Sequence, residues 1–165
     1  MNRAPRRSGH LRRAAVVVAL AATLTNAGAV TCSVSALPVV FGVYNPLSAL
    51  STVSTGSVTV TCQPVLVAIL QSYTLSLSTG GAGSYASRRL ASGANTLQYQ
   101  LYSNPGYSTV WGNGSGGSST VASSFLLAVL VPVSATHIVY ARMPALQSSA
   151  VAGAYSDTIM VTVTY

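Results

Sequence analysis

Neither lysine nor glutamate occurs in this chain, and Asp157 is its one carboxylate side chain. Glycoside hydrolysis by paired carboxylates is therefore excluded, because that chemistry needs two. Histidine and cysteine are almost as scarce. His137 is the only histidine beyond the N-terminal segment, and Cys32 and Cys62 are the only cysteines. A metal centre gathers three or four such ligands, so no metal and no cofactor is expected. Serines could be combined on paper with His137 and Asp157 into a triad, but no G-x-S-x-G elbow in a strand–turn–helix setting is present. The chain is not expected to be an enzyme. Helix signals are lacking too: after residue 29 no window shows an apolar 3.6-residue period with caps, so no helix longer than two turns is expected there.

What positive charge there is lies mostly at one end. Arg3, Arg6, Arg7, Arg12 and Arg13 precede an apolar run from Ala14 to Ala22, with Leu24 beyond and Ala27-Gly28-Ala29 closing the segment. A basic head, a short apolar middle and a small-x-small end make a secretory signal peptide over residues 1–29, cleaved after Ala29. The run is too short to span a bilayer, which takes about 20 residues, so no integral membrane anchor is expected. Residues 30–165 form the mature domain. They retain Arg88, Arg89 and Arg142 against Asp157, a formal +2. Nucleic-acid binding loses its footing, because phosphate contacts need a clustered basic surface. Low net charge also weakens repulsion between copies, which suits an exported protein that associates. Export exposes both cysteines to an oxidising compartment, and a Cys32–Cys62 disulfide follows as the default. It would close a loop of about 30 residues and contribute about 3.5 kcal/mol on chain entropy.

Period-2 alternation dominates the mature part. Thr31 to Val34 opens an extended segment. Ser57 to Cys62 and Tyr73 to Ser78 alternate cleanly, and Thr96 to Tyr102 places Leu97, Tyr99 and Leu101 on one face. Asn104-Pro105-Gly106 reads as a turn, Tyr107 to Trp111 as a short strand, and Gly112 to Thr120 as an exposed loop. Phe125 to Val131 is continuously apolar; a strand covered on both faces is the preferred reading, an exposed patch the alternative. His137 to Met143 and Ser156 to Tyr165 complete an all-β pattern of short strands, as in a β-sandwich.

Taken in order, the motifs resemble the spore coat protein U domain, which is also the subunit domain of archaic chaperone–usher pili. The likeness begins at Cys32 and Phe41-Gly42-Val43-Tyr44-Asn45-Pro46. It continues through Thr59-Val60-Thr61-Cys62, Tyr73 to Ser78 with Gly80, and Arg88-Arg89-Leu90 followed by Leu97 to Tyr102. Val110-Trp111-Gly112-Asn113-Gly114, Val139 to Pro144 with Gln147, Gly153 to Thr158 and Val161 to Tyr165 close it. Ala141 stands where the family usually has Gly, and Asn113 where it usually has Asp.

The resemblance implies an immunoglobulin-like sandwich that lacks its last strand. It implies as partners a periplasmic chaperone, an outer-membrane usher and neighbouring pilus subunits, with passage through the periplasm to the cell surface. Ile159, Val161 and Val163 fall on one face of the terminal segment and are expected to line the groove that accepts a donor strand. With cleavage after Ala29, only Val30 and Thr31 precede Cys32, so the chain is expected to accept a strand without giving one, as at a fibre tip. A non-fibrillar secreted spore-coat or matrix protein is the alternative, and Phe125 to Val131 could then fill the groove from within. A register that sets Ile138 opposite Val161 also sets Tyr140 opposite Ile159 and Arg142 opposite Asp157, so Arg142 and Asp157 are expected to form a structural ion pair.

Overall fold

Residues of alternate parity face opposite ways along a strand, and this chain uses that rule almost throughout. The computed structural model describes residues 30–63, 69–127 and 131–165. Its strands are β1 Cys32–Leu37, β2 Thr52–Cys62, β3 Ile69–Leu77, β4 Arg88–Ser92, β5 Asn95–Tyr102, β6 Val121–Leu127, β7 Val133–Met143 and β8 Val161–Thr164. Among the described residues the one helical turn is the 3-10 segment Gly80–Ala82. No helix there is long and apolar enough to cross a membrane. The signal-like segment 1–29 lies outside the described residues.

Two antiparallel sheets form a sandwich, one in the order β1-β2-β7-β5-β4 and the other β6-β3-β8. The core between them is built from alternate positions: Val58, Val60 and Cys62 of β2, Tyr73, Leu75 and Leu77 of β3, Leu97, Tyr99 and Leu101 of β5, and Val139, Ala141 and Met143 of β7. Each large apolar side chain taken out of water there contributes about 1.5–3 kcal/mol. Trp111 is fully buried among them, and its indole N–H donates to the Leu75 carbonyl at 3.2 Å. The disulfide joins Cys32 to Cys62, which face each other in the β1–β2 register with Cα atoms 4.0 Å apart.

Three expectations need correction. The first is the partner of the terminal segment. β7 is occupied on both edges, by β2 along its length and by β5 at Gln100–Tyr102, so Arg142 lies opposite Val53 and Gln100. β8 instead pairs with β3, with Val161 opposite Leu77 and Val163 opposite Leu75. Alternation tells which face a residue takes and not which strand it meets, and the Arg142–Asp157 register does not form. The second is the apolar run. In its described part it is not covered on both faces: β6 alternates, with Leu126 62% exposed and Leu127 fully buried. β6 also pairs with β3 on the edge away from β8, so this part does not fill a gap beside β8. Residues 128–130 of the run lie outside the described residues. The third is Tyr107 to Trp111, which is a turn followed by isolated bridges and not a strand. The Asn104 side-chain oxygen takes the N–H groups of Ser108 (3.3 Å) and Thr109 (2.9 Å), so these two are lost to a ladder and only the bridges at Val110 and Trp111 form.

Candidate functional site

The C-terminal stretch crosses between the layers. Ser156 exchanges both backbone hydrogen bonds with Ala91 of β4, at 2.8 and 3.0 Å. Four residues on, Met160 bonds Ser78: its carbonyl accepts the Ser78 N–H and its N–H donates to the Ser78 Oγ, both at 2.9 Å. β8 then runs beside β3. Its other edge carries no strand among the described residues, and β1 likewise pairs on one side only, with β2.

Between those two free edges the sandwich is open. After β1 the chain turns away at Pro38 and forms one lip; residues 150–161 form the other. Two cavities follow this cleft. One, of about 780 Å³, lies between Val39–Tyr44 and Ala150–Asp157, with Leu97 and Met143 behind them. The second, of about 280 Å³, lies between Ala36–Phe41 and Ile159 and Val161, over core residues Val58, Leu77, Leu101 and Val139. Val39, Phe41, Leu90 and Asp157 line both, so the cavities form one continuous apolar groove. Val40 and Val43 on its rim are 72% and 98% exposed.

Of the expected groove residues, Ile159 and Val161 line the smaller cavity. Val163 packs against the core beyond the cavity linings, opposite Leu75. Asp157 lies at the junction of the cavities and has other partners than Arg142. Its Oδ2 accepts the Tyr99 hydroxyl at 2.7 Å, and its Oδ1 accepts the Gly81 N–H at 2.9 Å and the Thr158 N–H at 2.8 Å. Burial, aided by this bond and the carboxylate charge, pushes the Tyr99 hydroxyl far above its ordinary pKa. Gly80 sits at φ +67°, and a Cβ there would run into the Asp157 carboxylate. The carboxylate thus fastens the groove's lip to the turn after β3.

Arg142 is elsewhere, on the outer face of the larger sheet. Its Nη2 donates to the Tyr102 hydroxyl at 3.5 Å. The ring face of Tyr102 lies 5.6 Å and that of Tyr107 5.5 Å from its guanidinium carbon.

The sequence reading missed a second cation, Arg88, which is wholly buried. Its Nε and Nη2 donate to the Ser78 carbonyl at 3.1 and 2.8 Å, Nη2 also to the Trp111 carbonyl at 2.7 Å, and Nη1 to the Gln100 Oε1 at 2.6 Å. Burial lowers its pKa. One signal could have found it: Arg88 and Leu90 share the parity that faces inward on β4, which places a cation where an apolar residue is usual. Phe41 and Val39, central to the groove, had no such signal, since they lie outside any strand.

Among the described residues no group of three or more His, Cys, Asp or Glu side chains gathers for a metal. What the arrangement offers is an unpaired row of backbone donors and acceptors beside apolar pockets, the two requirements for adding a strand.

Comparison with known proteins agrees with this geometry. The family model of the Spore Coat Protein U domain matches residues 16–162. No curated protein matches the chain. Among solved structures, the fold is similar to a chain of the CsuC-CsuE chaperone-tip adhesion subunit pre-assembly complex from archaic chaperone-usher Csu pili of Acinetobacter baumannii. That likeness has a TM-score of 0.51 at 20% sequence identity and covers 83% of this chain and 40% of the other. The chain therefore spans less than half the length of that solved chain.

Proposed function

The chain belongs to the Spore Coat Protein U domain family, and on that premise we propose that it is a structural subunit of a chaperone–usher pilus whose groove accepts a β-strand from a partner. The observation that carries this reading is the apolar groove that reaches β8, a strand with a free edge, at Val161, with Ile159 and Val161 on one wall and Phe41 at its junction. An unpaired edge beside exposed core is an aggregation hazard unless it is covered. A periplasmic chaperone covers it during transit. At the outer-membrane usher, a neighbouring subunit's strand replaces the chaperone, with backbone hydrogen bonds giving affinity and the pockets giving selectivity.

The rest of the reading follows from this role. Residues 1–29 serve as the signal peptide, residues 30–165 as the sandwich domain, and the protein reaches the cell surface by way of the periplasm. Cleavage after Ala29 places the new terminus close to the disulfide at Cys32, which suits an acceptor at the fibre tip. Its work there is adhesion and not catalysis.

The test is strand addition. Peptides copied from the N-terminal extensions of companion subunits should bind the exported protein and raise its melting temperature. Saturation at about 100 times Kd corresponds to about 2.7 kcal/mol of stabilisation. Val161→Asp and Ile159→Asp should each weaken binding by placing an unpaired charge in an apolar wall. Indifference to every such peptide, with no chaperone co-purifying, would leave the secreted coat or matrix role in its place.

A further inference from the structure

We propose that Arg142, gripped by Tyr102 and Tyr107 on the outer face of the larger sheet, is a receptor for the carboxylate of an acidic saccharide, a uronic acid unit being the class of ligand. This site is on the opposite face of the sheet from the groove and does not rest on the pilus reading.

Charge comes first. Asp157 is the only carboxylate side chain in the sequence, and Tyr99, Gly81 and Thr158 hold it elsewhere. A guanidinium carries five N–H donors. Among the described residues, Arg142 uses one, toward the Tyr102 hydroxyl at a long 3.5 Å. A half-buried cation with most of its fork unused is matched by a planar monoanion, which a guanidinium binds through two parallel hydrogen bonds. A phosphate dianion would call for further cations. Arg88 is buried and engaged in the core, and Arg89 stands on β4, separated from β7 by β5.

Rigidity comes second. Tyr107 has φ +51°, a left-handed conformation that costs a bulky residue energy. Asn104 holds it there: its carbonyl accepts the Tyr107 N–H at 3.2 Å, while its side chain takes the N–H groups of Ser108 and Thr109 and donates to the Ser108 Oγ at 2.8 Å. The result is a ring set edge-on to Tyr102 and Tyr140, with centroids 5.5 and 6.4 Å away, and in contact with the guanidinium. Strain is spent on fixing a cation that has no internal anion, as a preorganised site requires.

The surroundings choose the ligand's body. Arg142 and Tyr140 point outward on β7, opposite Val53 and Thr55 of β2, both exposed. An aromatic and apolar floor with hydroxyls at its margin suits a pyranose, which has an apolar C–H face and a polar rim. An acidic side chain on another protein would use the fork and leave that floor idle.

The experiment is a calorimetric titration of the protein, produced from the full chain by export with its disulfide formed. The probes are trigalacturonate, its uncharged methyl ester, an oligo-aspartate peptide and inorganic phosphate. Trigalacturonate should bind at least about tenfold more tightly than each of the others, the loss expected for one charge-assisted pair. Arg142→Gln should lose that tenfold, and Arg142→Lys most of it, since a point charge lacks the fork. Tyr107→Gly relieves the backbone strain, so the fold should be kept or stabilised while binding falls. Equal binding of the ester, undiminished binding by Arg142→Gln, or no binding of trigalacturonate would overturn the proposal. So would a preference for the peptide or for phosphate, the first pointing to a protein partner.

Discussion

Arg88 makes its hydrogen bonds from complete burial, and it serves three separate acceptors: Ser78, Trp111 and Gln100. Arg88→Met would keep much of the volume but leave the Ser78 and Trp111 carbonyls without the donors Arg88 supplies, while Gln100 Oε1 keeps the Leu101 N–H at 3.0 Å. Each orphaned polar group costs about 1–3 kcal/mol, so urea denaturation should show a loss of about 2 kcal/mol or more. His137 gives a pH signature. Its Nε2 lies 2.6 Å from the Tyr73 hydroxyl, and burial lowers its pKa below the ordinary 6.5. The unfolded chain therefore takes up a proton at higher pH than the folded one. The resulting stability is intact above the unfolded pKa and is lost as pH falls toward and through the folded value. Urea midpoints should decline between about pH 7.5 and pH 5, and His137→Gln should flatten the decline; an equal slope in the variant would assign it to another group. At this scale the sequence was a partial guide. Leu97, Tyr99 and Leu101 were legible as one face because alternation is a local property. The partners of Asp157 and Arg142 were not, because they are set by which strands meet across long separations. The sequence reading placed one ionic interaction where the structure has two separate sites.

Among the described elements, β1 and β8 are the two with an unpaired edge facing the groove, and they are held differently. β8 has β3 beside it and its apolar residues against the core. β1 has β2 and the disulfide. Breaking the disulfide with Cys32→Ala and Cys62→Ala should lower stability by about 3.5 kcal/mol by loop entropy, with β1 amides the first to gain hydrogen exchange. Uniform loss of protection across both sheets would show instead that β1 is inseparable from the core. The strand set was legible wherever period 2 persisted, as in β2, β3, β5 and β7. It failed at Tyr107 to Trp111, where Pro105-Gly106 and the Asn104 side chain divert the backbone. It also failed for the run beginning at Phe125, where residue type alone hid an ordinary alternation.

For the molecule as a whole, the open side is where sequence and structure meet least directly. Its walls come from residues 36–44 and 150–161, far apart in the chain and mostly outside strands. No local pattern announces such a meeting; only the order of strands in the two sheets does. Groove and outer face are separated by the thickness of a sheet, so a bound donor peptide should leave the trigalacturonate affinity of the Arg142 site unchanged within about a factor of two, the usual tolerance for sites without shared contacts.

The place of the disulfide has a mechanical consequence. Cys32 opens β1, and Cys62 closes β2. Tension arriving from the N-terminal side would otherwise peel the edge strand one hydrogen bond at a time, as a zipper opens. The sulfur bridge stands at the very end where peeling would start, so the load passes straight to β2. That strand is flanked on both sides and registered with β7 over all 11 of its residues. Rupture then requires many bonds to shear together. Pulled in a single-molecule instrument, the oxidised domain should yield at one high force, and the reduced domain should first release β1 at a lower one.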